Sequence, residues 1–110
     1  MPSVFEVTDP RGCKVTCPET AWQHILSGRP WMASWLDDIK TAIEKPDMGI
    51  YQDVDFSDRE VYYRFRLKGK DRYLKVVVTM VSTNQGEVVT AFPTYTPKAG
   101  EKLIWPTSKP

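Results

Sequence analysis

Residues 3 to 8, SVFEVT, alternate apolar and polar and run into Asp9-Pro10-Arg11-Gly12, residue types that favour a reverse turn. Cys13 to Thr16 read as the return strand, so a small N-terminal hairpin is expected. Thr16 followed by Glu19 has the spacing of a capping box, and Pro18 is tolerated in a first helical turn. A helix is therefore predicted from this point to Gly28-Arg29-Pro30, which stops it. On it Ala21, Trp22, Ile25 and Leu26 share one arc, and His24, the single histidine, lies about 60° beyond the edge of that arc. A second helix is read from Met32, Trp35, Leu36, Ile39, Ala42 and Ile43, which recur at helical spacing until Pro46.

After Pro46 the period changes to two. Residues 49 to 54 are a short strand candidate. Glu60 to Lys68 place Val61, Tyr63, Phe65 and Leu67 on one face and Tyr62, Arg64, Arg66 and Lys68 on the other. Gly69-Lys70-Asp71 is a tight hairpin connection. Tyr73 to Val81 set Leu74, Val76, Val78 and Met80 opposite Tyr73, Lys75, Val77, Thr79 and Val81. Asn84-Gln85-Gly86 turns the chain, and Val88 to Tyr95 set Val89, Ala91, Pro93 and Tyr95 against Val88, Thr90, Phe92 and Thr94. The expected architecture is one α+β domain over residues 1–110. A small N-terminal hairpin and two helices pack on one face of a three- to four-stranded antiparallel sheet.

Composition narrows the chemistry. A chain of 110 residues can bury a single core. Its formal net charge of +1 exerts no general pull on nucleic acid or membrane, so any anion site must be a local cluster. No apolar run reaches the roughly 20 residues of a spanning helix, and MPSVFEVTDP lacks the regions of a signal peptide. No membrane contact and a cytoplasmic location are expected. Cys13 and Cys17 are too few for a four-cysteine zinc site. With His24 they could offer three ligands, but they read as two reduced thiols near a strand end, and no metal or cofactor is expected. There is no glycine-rich phosphate loop, histidine pair or nucleophile elbow. Asp37-Asp38 and Asp53-Val54-Asp55 read as solvation or capping.

The sheet face that the helices leave open is the remaining candidate. With the apolar sets turned to the helices, that face collects Tyr62, Arg64, Arg66, Tyr73, Lys75, Thr79, Thr90 and Thr94. Cations suit phosphates and rings suit unpaired bases; the plain alternative is a solvated face. Lys75 stands out because it interrupts Tyr-Leu-Lys-Val-Val-Val, the most apolar strand, where a charge is hard to solvate.

"W-x-H-I" then "R-P", a helix ending "I-x-K-P-D", "V-Y-Y-R-F-R", "Y-L-K-V-V-V" and "V-V-T-A-F-P-T-Y" before "G-E-K-L-I-W" occur in that order. Over about residues 14 to 105 the chain resembles the phage-associated nuclease-like domains grouped with barnase, EndoU, the tRNA-cutting colicins and RelE. The resemblance implies helices against a four-stranded antiparallel sheet and a toxin-like, metal-independent endoribonuclease. RNA, tRNA among the candidates, would be cut by attack of a 2′-hydroxyl on the adjacent phosphate, and a cognate inhibitor protein is an implied partner. Carried over by position, His24 would be the general acid or base, Lys75 and Arg64 would stabilise the phosphorane, and Thr90 would orient the phosphate. Arg66, Tyr62, Tyr73 and Thr94 would hold substrate. The alternative is a catalytically inactive relative that binds RNA or an acidic protein through the same cationic face.

Overall fold

The computed structural model describes residues 3–65 and 73–106. Its centre is a seven-stranded sheet of β1 (Ser3–Thr8), β2 (Lys14–Pro18), β3 (Ile50–Gln52), β4 (Arg59–Phe65), β5 (Tyr73–Ser82), β6 (Gln85–Thr94) and β7 (Lys102–Trp105). The strand order is β1-β2-β6-β5-β4-β3-β7. Helices α1 (Glu19–Gly28) and α2 (Leu36–Glu44), joined by a 3₁₀ turn over Pro30–Trp35, pack on one face.

The α+β class and the helices on one face are as the pattern predicts; the sheet is larger and mixed. The N-terminal hairpin is not a separate unit, because Lys14–Thr16 of β2 runs parallel to Gln85–Glu87 of β6 and extends the sheet. At the opposite end β7 pairs with β3, four residues too few to show a period in sequence. Gly49 permits that approach: it has φ +96, and a Cβ there would stand 2.8 Å from the Trp105 carbonyl oxygen. The capping box does not form. Thr16 stays in the ladder opposite Glu6 and Glu87, and Pro18 precedes the helix with no side-chain cap. The turn after β5 lies at Thr83-Asn84, one residue before the expected one. The predicted continuation of β4 through Lys68 and the Gly69-Lys70-Asp71 connection lie outside the described residues.

Strand register decides which side chains face the helices, since directly paired residues share a face. On β5, Leu74, Val76 and Val78 enter the core beneath Ala21, Ile25, Met32, Ile39 and Ile43, as expected. On β4 the expected faces are reversed. Tyr62 pairs with Val76 and Arg64 with Leu74, so both lie on the helix side, while Tyr63 pairs with Lys75 and faces away. The alternation misleads here because tyrosine combines a large apolar ring with a polar tip. Tyr62 is fully buried in the helix-side core, and Val61 and Tyr63 are fully buried on the other side with Val77. The second face therefore has a core of its own.

The phenol of Tyr62 has a reason to be inside. The buried Asp9 carboxylate accepts hydrogen bonds from Tyr62 Oη (2.8 Å), Arg11 Nη2 (2.8 Å) and the Cys13 amide (2.9 Å). Arg11 also donates to Glu60 at 2.7 Å, so the β1–β2 turn is tied to β4. Burial alone pushes the Asp9 carboxyl up, but the hydrogen bonds from Arg11, Tyr62 and the Cys13 amide outweigh it and hold Asp9 below its ordinary 3.8. A depressed folded-state value stabilises above the ordinary value and is lost as pH falls through the folded one. Asp9→Asn should therefore cost on the order of 1–3 kcal/mol in urea unfolding at pH 7 and make the loss of stability below about pH 4 shallower. An unchanged acid limb would remove Asp9 from that role.

Candidate functional site

β5 is a central strand, and Lys75 lies on its far side from the helices, opposite Tyr63 of β4 and Phe92 of β6. Its ammonium stands 5.7 Å from the Tyr63 ring centre and 5.8 Å from that of Phe92, within cation–π range. From the end of β6 the chain must cross β5, β4 and β3 to reach β7, and residues 95–101 do so over this face. They bring Glu101, whose side chain is 1% exposed, onto the lysine.

Both Glu101 oxygens are used: Tyr63 Oη donates to Oε1 at 2.6 Å and Lys75 Nζ to Oε2 at 3.0 Å. The Lys98 amide donates to Tyr63 Oη at 3.2 Å. Burial, and then the bond to Glu101, push the Tyr63 phenol well above its ordinary range, so it stays a protonated donor. Outside this knot the same segment is tied by an exposed Lys98–Asp55 pair at 2.8 Å. Asp53 accepts from the amides of Asp55 and Phe56, which shapes the loop on which Asp55 sits. Loop 53–58 and segment 95–101 thus meet at the Lys98–Asp55 pair.

A row of rings leads out from beneath them. Tyr51–Tyr63, Tyr63–Tyr73 and Tyr73–Phe65 are edge-to-face pairs with centres 5.5, 6.4 and 5.7 Å apart. From Tyr63 the row runs outwards: Tyr63 is fully buried, Tyr51 and Tyr73 on either side of it are half-buried, and Phe65 is 38% exposed. Thr94 pairs with Tyr73, and Tyr95 beyond it is 57% exposed.

The residues expected to share one phosphate are distributed over both sides of the sheet. Lys75 and Thr90 are on the far side from the helices, Thr90 next to a bulge at Val89. Arg64 is on the helix side, where it lines a shallow cleft of about 480 Å³ with Pro10, Lys45, Pro46 and Trp105. His24 is exposed on α1, a helix that packs through Ala21 and Ile25, and its carbonyl accepts from Ser27. Lys75, moreover, is committed to Glu101. Of the expected substrate contacts, Tyr73 and Thr94 come together, Tyr62 is buried on the helix side, and Arg66 lies outside the described residues. Sequence reading missed Glu101, Tyr63 and Phe92. The available signal was Lys75 itself, since a lysine in the most apolar strand calls for an acid.

Burial pushes the Cys17 thiol up to about 11 and raises Cys13 as well, so both are poor thiolates. Among the described residues no group of three histidines, cysteines or acids is placed to hold a metal ion. No described helix is long and apolar enough to cross a membrane. Comparison with protein families, curated proteins and solved structures returns no match.

Tyr63 joins the strand, the acid and the crossing segment through one hydroxyl. Tyr63→Phe should lower unfolding free energy by on the order of 1–3 kcal/mol, because it leaves Glu101 and the Lys98 amide each short of a partner. Wild-type stability in denaturant melts would show that the hydroxyl is dispensable.

Proposed function

We propose that this chain is a binding domain that takes single-stranded RNA at the Phe65–Tyr73 end of its sheet and does not cut it. The observation that carries this reading is the row of edge-to-face rings that emerges at Phe65 and Tyr73, with Tyr95 exposed nearby. Solvent-facing rings on a sheet offer planes for unpaired bases, each stacked base being worth about 1–3 kcal/mol.

Charge supports the same end. Phe65 and Tyr73 are paired across β4 and β5, and the chain between them contains Arg66, Lys68, Lys70 and Arg72 with one acid, Asp71. The net +1 of the whole chain hides this imbalance, because the other residues carry more acids than bases. Cations that neutralise phosphates release counterions and give salt-dependent affinity.

Turnover has less support. Attack by a 2′-hydroxyl needs a base, an acid and a cation at hydrogen-bond reach of one phosphate. His24 belongs to the helix layer, Arg64 to the helix side of the sheet, and Lys75 already neutralises Glu101. Binding without chemistry is the reading that this distribution favours.

A labelled ten-nucleotide oligouridine titrated at two salt concentrations tests the proposal. Affinity should fall as salt rises, and Phe65→Ala and Tyr73→Ala should each weaken it by roughly 5- to 150-fold, equivalent to about 1–3 kcal/mol. His24→Ala should bind like wild type, with intact oligonucleotide on a gel in both cases. Salt-insensitive binding, or affinity indifferent to both rings, would overturn the proposal in favour of another partner such as an acidic protein. Fragments produced by wild type and lost in His24→Ala would restore the ribonuclease reading.

A further inference from the structure

The Lys75–Tyr63 pair forms a small anion site that already holds an anion. Two donors from adjacent strands grip the two oxygens of one carboxylate at 3.0 and 2.6 Å, and the rings of Tyr63 and Phe92 frame the ammonium. A phosphate oxygen pair presents the same acceptors to an ammonium and a phenol. The site is also continuous with the exposed ring row, since Tyr63 touches Tyr73 edge to face at 6.4 Å.

The occupant arrives on a segment with few other attachments. Residues 95 to 100 are all exposed, and their outer tie, Lys98 to Asp55, is a surface pair. Surface pairs hold weakly, whereas Lys75 left without an anion inside the sheet face would be costly. At its inner end the segment is held by the Glu101 carboxylate and by the Lys98 amide bond to Tyr63, just before the chain enters β7 at Lys102, and lifting residues 95–101 is favourable only when another anion takes over on Lys75.

We propose that Glu101 is a built-in competitor, its carboxylate occupying the place on Lys75 and Tyr63 that an RNA phosphate takes when segment 95–101 lifts. This rests on the RNA-binding reading above and adds to it a covered second half of the binding face. RNA first engages the Phe65–Tyr73 end, then exchanges phosphate for carboxylate. The apparent affinity is reduced by the fraction of molecules in which Glu101 is seated.

Two measurements on the full chain test this. In the first, oligouridine affinity is compared for wild type, Glu101→Gln and Glu19→Gln, the last making the same charge change in the helix layer. Glu101→Gln should bind about tenfold more tightly than wild type, and Glu19→Gln should stay within about twofold. In the second, which uses wild type and so does not depend on how the variant folds, exchange of the Lys98 amide is followed with and without saturating oligouridine. Its bond to Tyr63 should open on binding, and exchange should accelerate. Wild-type binding with Lys98 equally or better protected, or Glu101→Gln no tighter than Glu19→Gln, would overturn the competitor while leaving RNA binding in place. No binding by wild type or Glu101→Gln would end both.

Discussion

A lysine in the middle of a central, otherwise apolar strand obliges the rest of the chain to bring it an anion. In this protein the anion is Glu101, 26 residues further along, and delivering it sets the path of everything after β6. The chain crosses three strands, seats its carboxylate between Lys75 and Tyr63, and continues at once as β7 beside β3. That crossing lies over a face that would otherwise meet water. Val61, Tyr63 and Val77 are buried there. The pair need not add net stability over an apolar substitute, because desolvating two charges is expensive. Its consequence is specificity of path: a chain that fails to seat Glu101 leaves Lys75 unpaired inside the sheet face.

The same device is used on the other side of the sheet. Tyr62 and Tyr63 are adjacent on β4 and point to opposite faces, and each donates a hydrogen bond from its hydroxyl to a buried carboxylate. Asp9 comes from the turn after β1, Glu101 from the approach to β7. Segments near the two ends of the sequence are thereby fastened to one strand, on its two faces, through neighbouring phenols. Removing either acid would leave a polar tip in an apolar core, which costs more than a surface hydrogen bond of the same geometry.

Regular features were legible in the sequence and long-range ones were not. The spans of β1, α1 and β5, and of β4 as far as Phe65, follow from alternation, helical spacing and turn residues, and the two faces of β5 follow from alternation alone; β6 starts at Gln85, inside the expected turn, because Gln85–Glu87 pair with β2. The faces of β4 could not be read that way, because Tyr62 and Tyr63 are each part apolar ring and part donor. Thr16 and Glu19 have the spacing of a capping box, yet ladder bonds to Glu6 and Glu87 keep Thr16 extended; tertiary pairing outweighs a local cap. The oddity of Lys75 was visible, but its meaning was not, since nothing local indicates that the answering acid lies at residue 101. Lys75, expected to face a ligand, is paired with Glu101 in the folded chain, whereas Phe65 and Tyr73 leave ring surface open to solvent.

A double-mutant cycle on Lys75→Met and Glu101→Leu, read as unfolding free energies in denaturant, bears most directly on this account. Each single change should destabilise by about 3–5 kcal/mol, because it strands a charge away from water, and the double variant should recover most of that loss. Two small losses that simply add would contradict it, showing that lysine and glutamate sit near one another without either directing the fold.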